Sequence, residues 1–229
     1  MGQDIRDTWN LFVSKRMLIF MPIVAQTAFT VSIYGSLMIK IIVETMVDEA
    51  WDDQKKNSTA LLCMVGLGVG EIAGSLILGI VLDKCSMTVS VFVGLLINML
   101  GLGTLIIYTL KFSFDPYLCT VMTFTMGMQD CAGKIFSNCI CGFQFESKTV
   151  PFAVLQSVRS VLIFVITCFE SLLTTRDEYL YYFVFDMCFA IFAYSIFKCC
   201  FTLKPKATEE SPVPEAQMVE TESTITNKA

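Results

Sequence analysis

The amino-acid sequence predicts an all-α protein that crosses a membrane several times, and two observations lead to this fold class. The chain of 229 residues is 55% hydrophobic and 16% charged, whereas soluble domains average about 45–50% apolar and about 25% charged residues. The apolar residues also form six blocks, each near the length of about 20 residues at which a helix spans the hydrocarbon core. Because lipid offers no partner to an unpaired backbone amide, each block is predicted to be a helix. The blocks are residues 17–43, 59–82, 87–110, 117–143, 152–173 and 179–201.

These blocks divide the chain into three parts. Residues 1–16 are polar and amphipathic, with no short apolar core and no small-residue cleavage site, so the first block is expected to serve as an uncleaved insertion signal. Residues 17–202 hold the six spans and form the predicted six-helix membrane domain. Residues 203–229 are rich in Pro, Glu, Ser and Thr and hold no aromatic residue, which predicts a disordered acidic cytoplasmic tail.

The distribution of Lys and Arg near the span ends predicts the orientation. Eight of these residues lie on the side of the N-terminus and four on the opposite side, and such an excess marks the cytoplasmic face. Both termini are therefore expected in the cytoplasm, with the loop of residues 44–58 outside. We expect an integral protein of the plasma membrane or of an endomembrane.

The sequence lacks the residue patterns of an enzyme or a metalloprotein. It contains no His and no G-x-S-x-G, Walker or CxxC motif. Its ten cysteines lie within the predicted spans or at their cytoplasmic ends, a distribution that does not describe a disulfide scaffold. We therefore expect no catalytic site, no cofactor and no metal, and a partner in the lipid bilayer rather than in nucleic acid.

Five ionisable side chains lie well inside the predicted spans: Glu71, Asp130, Lys134, Arg159 and Asp186. Each costs about 2.5–3.5 kcal/mol near the centre of a membrane helix, so such residues usually face the bundle interior or water. Asp130 and Lys134 are four residues apart and therefore share a helical face on which they can pair. We expect at least one of the two to be coupled to Arg159 or Asp186. We interpret the five as an intramembrane pathway or coupling site; the alternative is a structural polar clamp between helices.

Five further polar residues of the spans have simpler interpretations. Lys40 and Glu170 lie near span ends, where long side chains are expected to reach the membrane interface. The uncharged amides are expected to form hydrogen bonds between helices; they are Gln26, Asn98 and Gln156.

The second block carries a stripe of small residues that predicts a close helix contact. Gly66, Gly70 and Gly74 are four residues apart, and Ser75 and Gly79 extend the stripe. Small residues at this spacing let a neighbouring backbone approach closely in a membrane, where no hydrophobic force drives association. The carboxylate of Glu71 lies beside the stripe, so the contact is expected to be either a sliding interface or a rigid seam.

The end of the second block resembles a signature turn of the major facilitator superfamily. Gly79 is followed four residues later by Asp83 and then by the base Lys84, before a very short turn into the third block. In that family the Asp caps a helix and pairs with bases across the interface between two lobes. The second half of the signature, a Gly followed by paired bases, is replaced by Cys85, Ser86 and their neighbours, which puts the charge-relay part of the turn in doubt.

The resemblance extends over residues 7–203. The stretches SKRMLIFMPIVAQTAF, GVGEIAGSLILG, GMQDCAGKIFS and VPFAVLQSVRSV follow in this order. They are similar to the carboxyl-terminal half of the branch known as the ion channel regulatory protein family, named for a worm uncoordinated-locomotion gene. The resemblance implies an all-α, six-helix lobe of a transporter fold that has twelve spans in two lobes, with the pathway between them.

That resemblance leaves both the assembly and the function open. A chain of six spans implies a homodimer, a separate six-helix second half or a truncated product. One expected function is a secondary transporter of a small solute or ion, with Glu71, Asp130 and Asp186 as proton or ion sites. The other is a non-transporting accessory protein that regulates an ion channel or escorts a membrane receptor, as members of the resembled branch do.

Overall fold

The computed structural model describes residues 2–46, 51–145 and 149–201, and the regular structure of these residues is entirely helical. The predicted all-α fold class is therefore confirmed. The tail of residues 203–229 lies outside the described residues. The α-helices are α1 Gly2–Phe12, α2 Lys15–Ser32, α3 Met38–Glu44, α4 Asp53–Cys63, α5 Val65–Lys84, α6 Met87–Lys111, α7 Pro116–Gln144, α8 Val150–Glu170 and α9 Arg176–Cys200.

The first predicted block is one continuous helical segment with an irregular centre. The hydroxyl of Ser14 caps α2 by accepting a hydrogen bond from the Met17 amide at 3.3 Å. A π-helical turn, Ile33–Leu37, then joins α2 to α3, so that Lys15–Glu44 forms a single rod of 30 residues. A π turn holds one residue more than an α turn and is often found at functional sites.

The second block starts earlier than predicted. Helix α4 begins at Asp53 with the Asp52 carboxylate as its cap, and α4 and α5 together form a segment of 32 residues, Asp53–Lys84. Residues 53–58 were expected in the outer loop because they are polar, but they form the first turns of α4. A good capping residue and a following apolar run start a helix even where its first turns are hydrophilic.

The connection between α6 and α7 is fixed by its own end groups. Phe112 ends α6 in the left-handed region at a φ of 44°. The Asp115 carboxylate then caps α7, accepting hydrogen bonds from the amides of Tyr117 and Leu118, and Pro116 occupies the first helical turn. The Lys111 ammonium lies 2.7 Å from the same carboxylate, and its hydrogen bond holds the pKa of Asp115 below its ordinary value.

Five helical segments of the described residues are long and apolar enough to cross a membrane. They are Lys15–Glu44, Asp53–Lys84, Met87–Lys111, Val150–Glu170 and Arg176–Cys200. Helix α7, which corresponds to the fourth predicted block, is 29 residues long but is not among them. Its middle carries Gln129, Asp130 and Lys134, whose polarity lowers the mean hydropathy of the helix.

Helix α7 lies at the centre of the bundle. It packs most extensively along α5 and also contacts α6 and α2, while α9 packs on α6 and α2, and α8 packs on α2. Helices α5 and α8 are at the periphery: 17% of the apolar segment is buried in each, against 56% for Lys15–Glu44. The centre of the bundle therefore accommodates the polar α7, and the most apolar surface remains on α5 and α8.

The buried apolar side chains form two separate clusters. One surrounds Ile33, Tyr108 and Phe183, and the other surrounds Phe20 and Phe197. Five helices contribute to both clusters: α8, and with it α2, α6, α7 and α9. Between the two clusters these helices carry buried polar residues, and this is where the candidate site begins.

Candidate functional site

A buried layer of polar side chains separates the two apolar clusters. We name it the polar layer, and it consists of Gln26, Thr30, Asn98, Gln129 and Asp186. All five are at most 5% exposed. They come from α2, α6, α7 and α9, so the layer crosses the bundle where these helices meet. Buried polar groups normally find hydrogen-bond partners, which makes the bonding of this layer informative.

The layer is held by one hydrogen bond and by one close approach. The Gln129 side-chain amide donates to the Thr30 hydroxyl at 2.9 Å, which ties α7 to α2. On its other side Gln129 lies against Gly101 of α6, where a Cβ would meet its side-chain oxygen. The missing side chain of Gly101 therefore gives Gln129 room to cross between α6 and α2.

Asp130 and Lys134 form the ion pair that their spacing allows. The Lys134 ammonium lies 2.5 Å from Oδ2 of Asp130, and the Asp130 side chain is 1% exposed while that of Lys134 is 33% exposed. Lys134 also lies 3.5 Å from the hydroxyl of Tyr34, a residue of the π turn. The pair thus has a buried acid and a base that reaches the bundle surface.

Glu71 of α5 brings a second carboxylate to the same place. It is half-buried and interacts electrostatically with Asp130 and with Tyr34. Glu71 forms no ion pair among the described residues, because Lys134 pairs with Asp130. We name Tyr34, Glu71, Asp130 and Lys134 the charged face. Its members come from the π turn, α5 and α7.

The structure does not bring Arg159 to either predicted acid. Arg159 is half-buried on α8 and donates to the side-chain oxygen of Gln156, one turn away on the same helix, at 2.9 Å. The expected coupling of Asp130 or Lys134 to Arg159 or Asp186 is therefore wrong, because the nearest base to Asp130 is on its own helix. Gln156 likewise bonds within α8 and not between helices.

Asp186 lies fully buried in the polar layer. Neither of its carboxylate oxygens has a hydrogen-bond partner of standard geometry. The side-chain amide of Gln26 lies beside it as a hydrogen-bond donor, and the carboxylate of Glu170 acts on it as a like charge. The structure thus separates the five predicted charges into the charged face, Arg159 with its partner Gln156 on α8, and the deeply buried Asp186.

Glu170 is a member of the site that sequence reasoning missed. We expected its side chain to reach the membrane interface, but it is fully buried. Its carboxylate accepts hydrogen bonds from the hydroxyls of Ser32 and Tyr182 at 2.6 Å each, and from Ser36. Thr167 lies 2.8 Å from the Ser32 hydroxyl. The last residue of α8 is therefore enclosed by hydroxyls from the π-turn region and α9.

Lys40 also differs from its expected role. Its ammonium donates to the backbone carbonyl of Leu173 at 2.6 Å, just after the end of α8, and does not simply extend into the interface. A cation next to the last carbonyls of a helix satisfies acceptors that have no partner within the helix.

The glycine stripe of α5 faces α7. A Cβ at Gly74 would lie 2.7 Å from the Met128 carbonyl oxygen, and one at Gly70 would collide with the backbone of Phe124. Gly66 similarly faces Thr120 and Thr123. Gly127 of α7 returns the contact by facing the backbone of Leu67 and Glu71. The stripe thus places the charged-face carboxylates of α5 and α7 on adjoining turns.

The signature turn lies apart from this contact. Gly79 has no neighbour within 4 Å of a Cβ position, so the close contact ends before it. Asp83 and Lys84 are exposed at the end of α5, and the Ser86 hydroxyl caps α6 immediately afterwards. The short turn predicted between the second and third blocks is thus present.

The described part of the chain contains no group of three or more His, Cys, Asp or Glu side chains that could hold a metal ion. The ten cysteines all lie in the described residues, and none forms a disulfide. The polar layer and the charged face carry carboxylate, amide, hydroxyl and ammonium groups. No known family model, curated protein or solved structure matches this chain.

Proposed function

We propose that this chain is an integral membrane protein with six spanning helices that works as one half of a secondary transporter for a small solute or ion. The observation that carries the proposal is the charged face. At least three ionisable side chains stand together at a helix surface within the apolar part of the chain, and Lys134 is one-third exposed there. Such groups cost about 2.5–3.5 kcal/mol each against lipid, so this face is expected to line water or a partner.

Helix α7 is the sixth span in this proposal. Its length of 29 residues corresponds to about 43 Å, which exceeds the hydrocarbon thickness of about 30 Å. Its polar side chains do not argue against a spanning position, because Gln129 and Asp130 are buried among other helices and not exposed to lipid. A membrane helix can carry such groups when its neighbours satisfy them.

The proposed second half is a second copy of this chain. Glu71 on α5 and Arg159 on α8 carry opposite charges, and neither forms an ion pair among the described residues. These are also the two least buried helices. In a two-fold dimer any contact between two different helices of the copies occurs twice, so we expect Glu71 of each copy to pair with Arg159 of the other. The charged face then borders a space between the copies, as in the superfamily that the sequence resembles.

A second candidate function is a non-transporting accessory protein for an ion channel or a receptor. The observation in its favour is an apolar groove of about 420 Å³ between the α4–α5 segment and α7. Its lining suits an apolar helix of a partner protein and consists of Leu62, Val65, Gly66, Val69, Thr120, Val121 and Phe124.

The test uses the full chain in lipid nanodiscs and in vesicles. The mass of the nanodisc particle gives the number of copies, with two expected. Vesicles loaded with a mixture of inorganic ions, amino acids, sugars and nucleosides are then assayed for the contents that they lose. We expect at least one solute to leave faster through the wild-type protein than through Asp130→Asn.

Asp115→Asn is the matched control, because Asp115 also pairs with a lysine four residues away but lies just before α7, outside the bundle centre. It should release the solute as the wild type does. Lys134→Gln is the second variant if Asp130→Asn fails to fold. One copy per particle, together with equal retention of every solute by wild type and empty vesicles, would overturn the transporter and leave the accessory function.

A further inference from the structure

We infer that the polar layer around Asp186 binds one monovalent cation of the size of Na⁺. This goes beyond the proposed function, because a bound cation does not require that the chain transports anything. The site would be formed by the Asp186 carboxylate together with the side-chain oxygens of Gln26, Asn98 and Gln129.

The polar layer holds several buried oxygens that have no hydrogen bond. Both carboxylate oxygens of Asp186 and the amide oxygens of Gln26, Asn98 and Gln129 are buried and have no hydrogen-bond partner. Five unsatisfied acceptors in one layer of a small bundle are exceptional, because buried polar atoms are nearly always bonded. The nitrogen of the Gln26 amide is also unbonded, so this amide can turn its oxygen toward a cation.

The helices that carry these oxygens face one another at the polar layer. Gln26 interacts with Asp186 directly. Phe29, one turn along α2, packs its ring on Phe185 and Phe189, which flank Asp186 on α9. The two side chains are thus held on facing turns of α2 and α9.

Helix α6 completes the convergence. Gly94 faces the ring of Tyr194 on α9, and Gly101 faces Gln129 on α7. Asn98 is four residues after Gly94 and three before Gly101, so it lies on the same helical face, between its contacts with α9 and α7. Asn98 and Gln129 therefore belong to the layer from α6 and α7, while Gln26 and Asp186 belong to it from α2 and α9.

The charged groups around Asp186 also fit a bound cation. No lysine or arginine pairs with Asp186 among the described residues, and Lys134 is paired with Asp130. Glu170 interacts with Asp186 and adds negative potential. Glu170 itself is satisfied by hydroxyl donors, so it is not a competing ligand.

A buried carboxylate is neutralised either by a proton or by a bound cation. The surrounding amide oxygens favour the cation, because the single hydrogen of a protonated carboxyl would leave most of them without a partner. Carboxylate and carbonyl oxygens are the ligands of hard cations, and a single carboxylate ligand matches a single positive charge.

The test measures thermal unfolding of the full chain in detergent at constant pH and ionic strength, with NaCl replaced stepwise by choline chloride. A ligand that binds only the folded state raises the unfolding temperature in a saturable way. We expect such a rise with Na⁺, and one ²²Na⁺ bound per chain at saturation. Asp186→Asn, which keeps the shape of the side chain, should abolish both, and Asn98→Ala should raise the half-saturating Na⁺ concentration at least tenfold.

Asp177→Asn is the matched control, because Asp177 is an exposed acid in the first turn of the same helix. It should behave as the wild type. Equal unfolding temperatures in Na⁺ and choline, or a stabilisation that Asp186→Asn and Asn98→Ala both retain, would overturn the proposal. So would a wild type whose stability changes with pH but not with Na⁺, because a proton alone would then occupy the carboxylate.

Discussion

Replacing Gly74 by Ala tests the contact between α5 and α7, and Gly68→Ala on the same helix is its matched control. A Cβ at Gly74 would lie 2.7 Å from the carbonyl oxygen and 2.8 Å from the Cα of Met128. Ordinary contacts begin at 3.4 Å, so α5 and α7 must separate by about 0.7 Å at this point. At Gly68 nothing lies within 4 Å of the added atom. The two substitutions are chemically identical and differ only in this neighbour.

The expected difference in unfolding free energy between Gly74→Ala and Gly68→Ala reports packing alone, because their gains in helix propensity cancel. Both variants gain the same helix propensity, about 0.5–1 kcal/mol, because Ala replaces Gly within one helix. Their difference in unfolding free energy is then the overpacking cost at Gly74, about 1–3 kcal/mol, since backbone atoms cannot rotate away as a flexible side chain can. The assay is unfolding in mixed micelles by increasing SDS, followed by far-UV circular dichroism. Equal stability of the two variants would show that the stripe is not a packed seam.

Two further predictions concern the carboxylates. Glu170→Ala removes the acceptor for three hydroxyls; Ser32 keeps Thr167 and Ser36 keeps the Ser32 carbonyl as a partner, but the Tyr182 hydroxyl is left buried without one. A buried group without a partner costs about 1–3 kcal/mol, so we expect a loss of that size in the same SDS assay, and an unchanged stability would contradict the enclosed position of Glu170. The hydrogen bond from Lys111 lowers the pKa of Asp115 in the folded state. The contribution of Asp115 to stability is therefore present above the unfolded pKa of about 3.9, and it is lost as the pH falls through the lower folded value. Stabilities of Asp115→Asn and wild type should therefore differ by a constant amount from pH 5 to 7 and begin to converge below about pH 4, whereas a difference that does not shrink at all as the pH falls below 4 would contradict this origin.

Hydropathy and spacing predict the parts of this structure that depend on one helix or on one pair of facing turns. Six apolar blocks correspond to six helical segments, and the four-residue separation of Asp130 and Lys134 corresponds to an ion pair at 2.5 Å. Both features are local, because an α-helix fixes the relative direction of residues four apart.

The missed features depend on how helices meet. Glu170 is a charged residue near the end of a block, and the position alone indicates the interface. Its burial results from hydroxyls supplied by two other helices, Ser32 and Ser36 from the π-turn region and Tyr182 from α9. The expected pairing of Arg159 failed for the same reason, since the depth of a residue along its helix does not determine which neighbouring helix its side chain faces. The two serines four residues apart, with Tyr182 in a later block, are the signal that sequence reasoning left unused.

The π turn rotates the residues after it about the helix axis, relative to the residues before it in the same helical segment. Each residue of an α-helix advances the chain by about 100° around the axis, so one extra residue turns everything after it by that angle. Deleting a single residue between Ile33 and Leu37 would give a regular helix, but it would swing Lys40 away from the Leu173 carbonyl that it now reaches at 2.6 Å. One additional residue in the turn is thus sufficient to aim the C-terminal half of the helical segment at the end of α8 while its N-terminal half stays packed on α7 and α9.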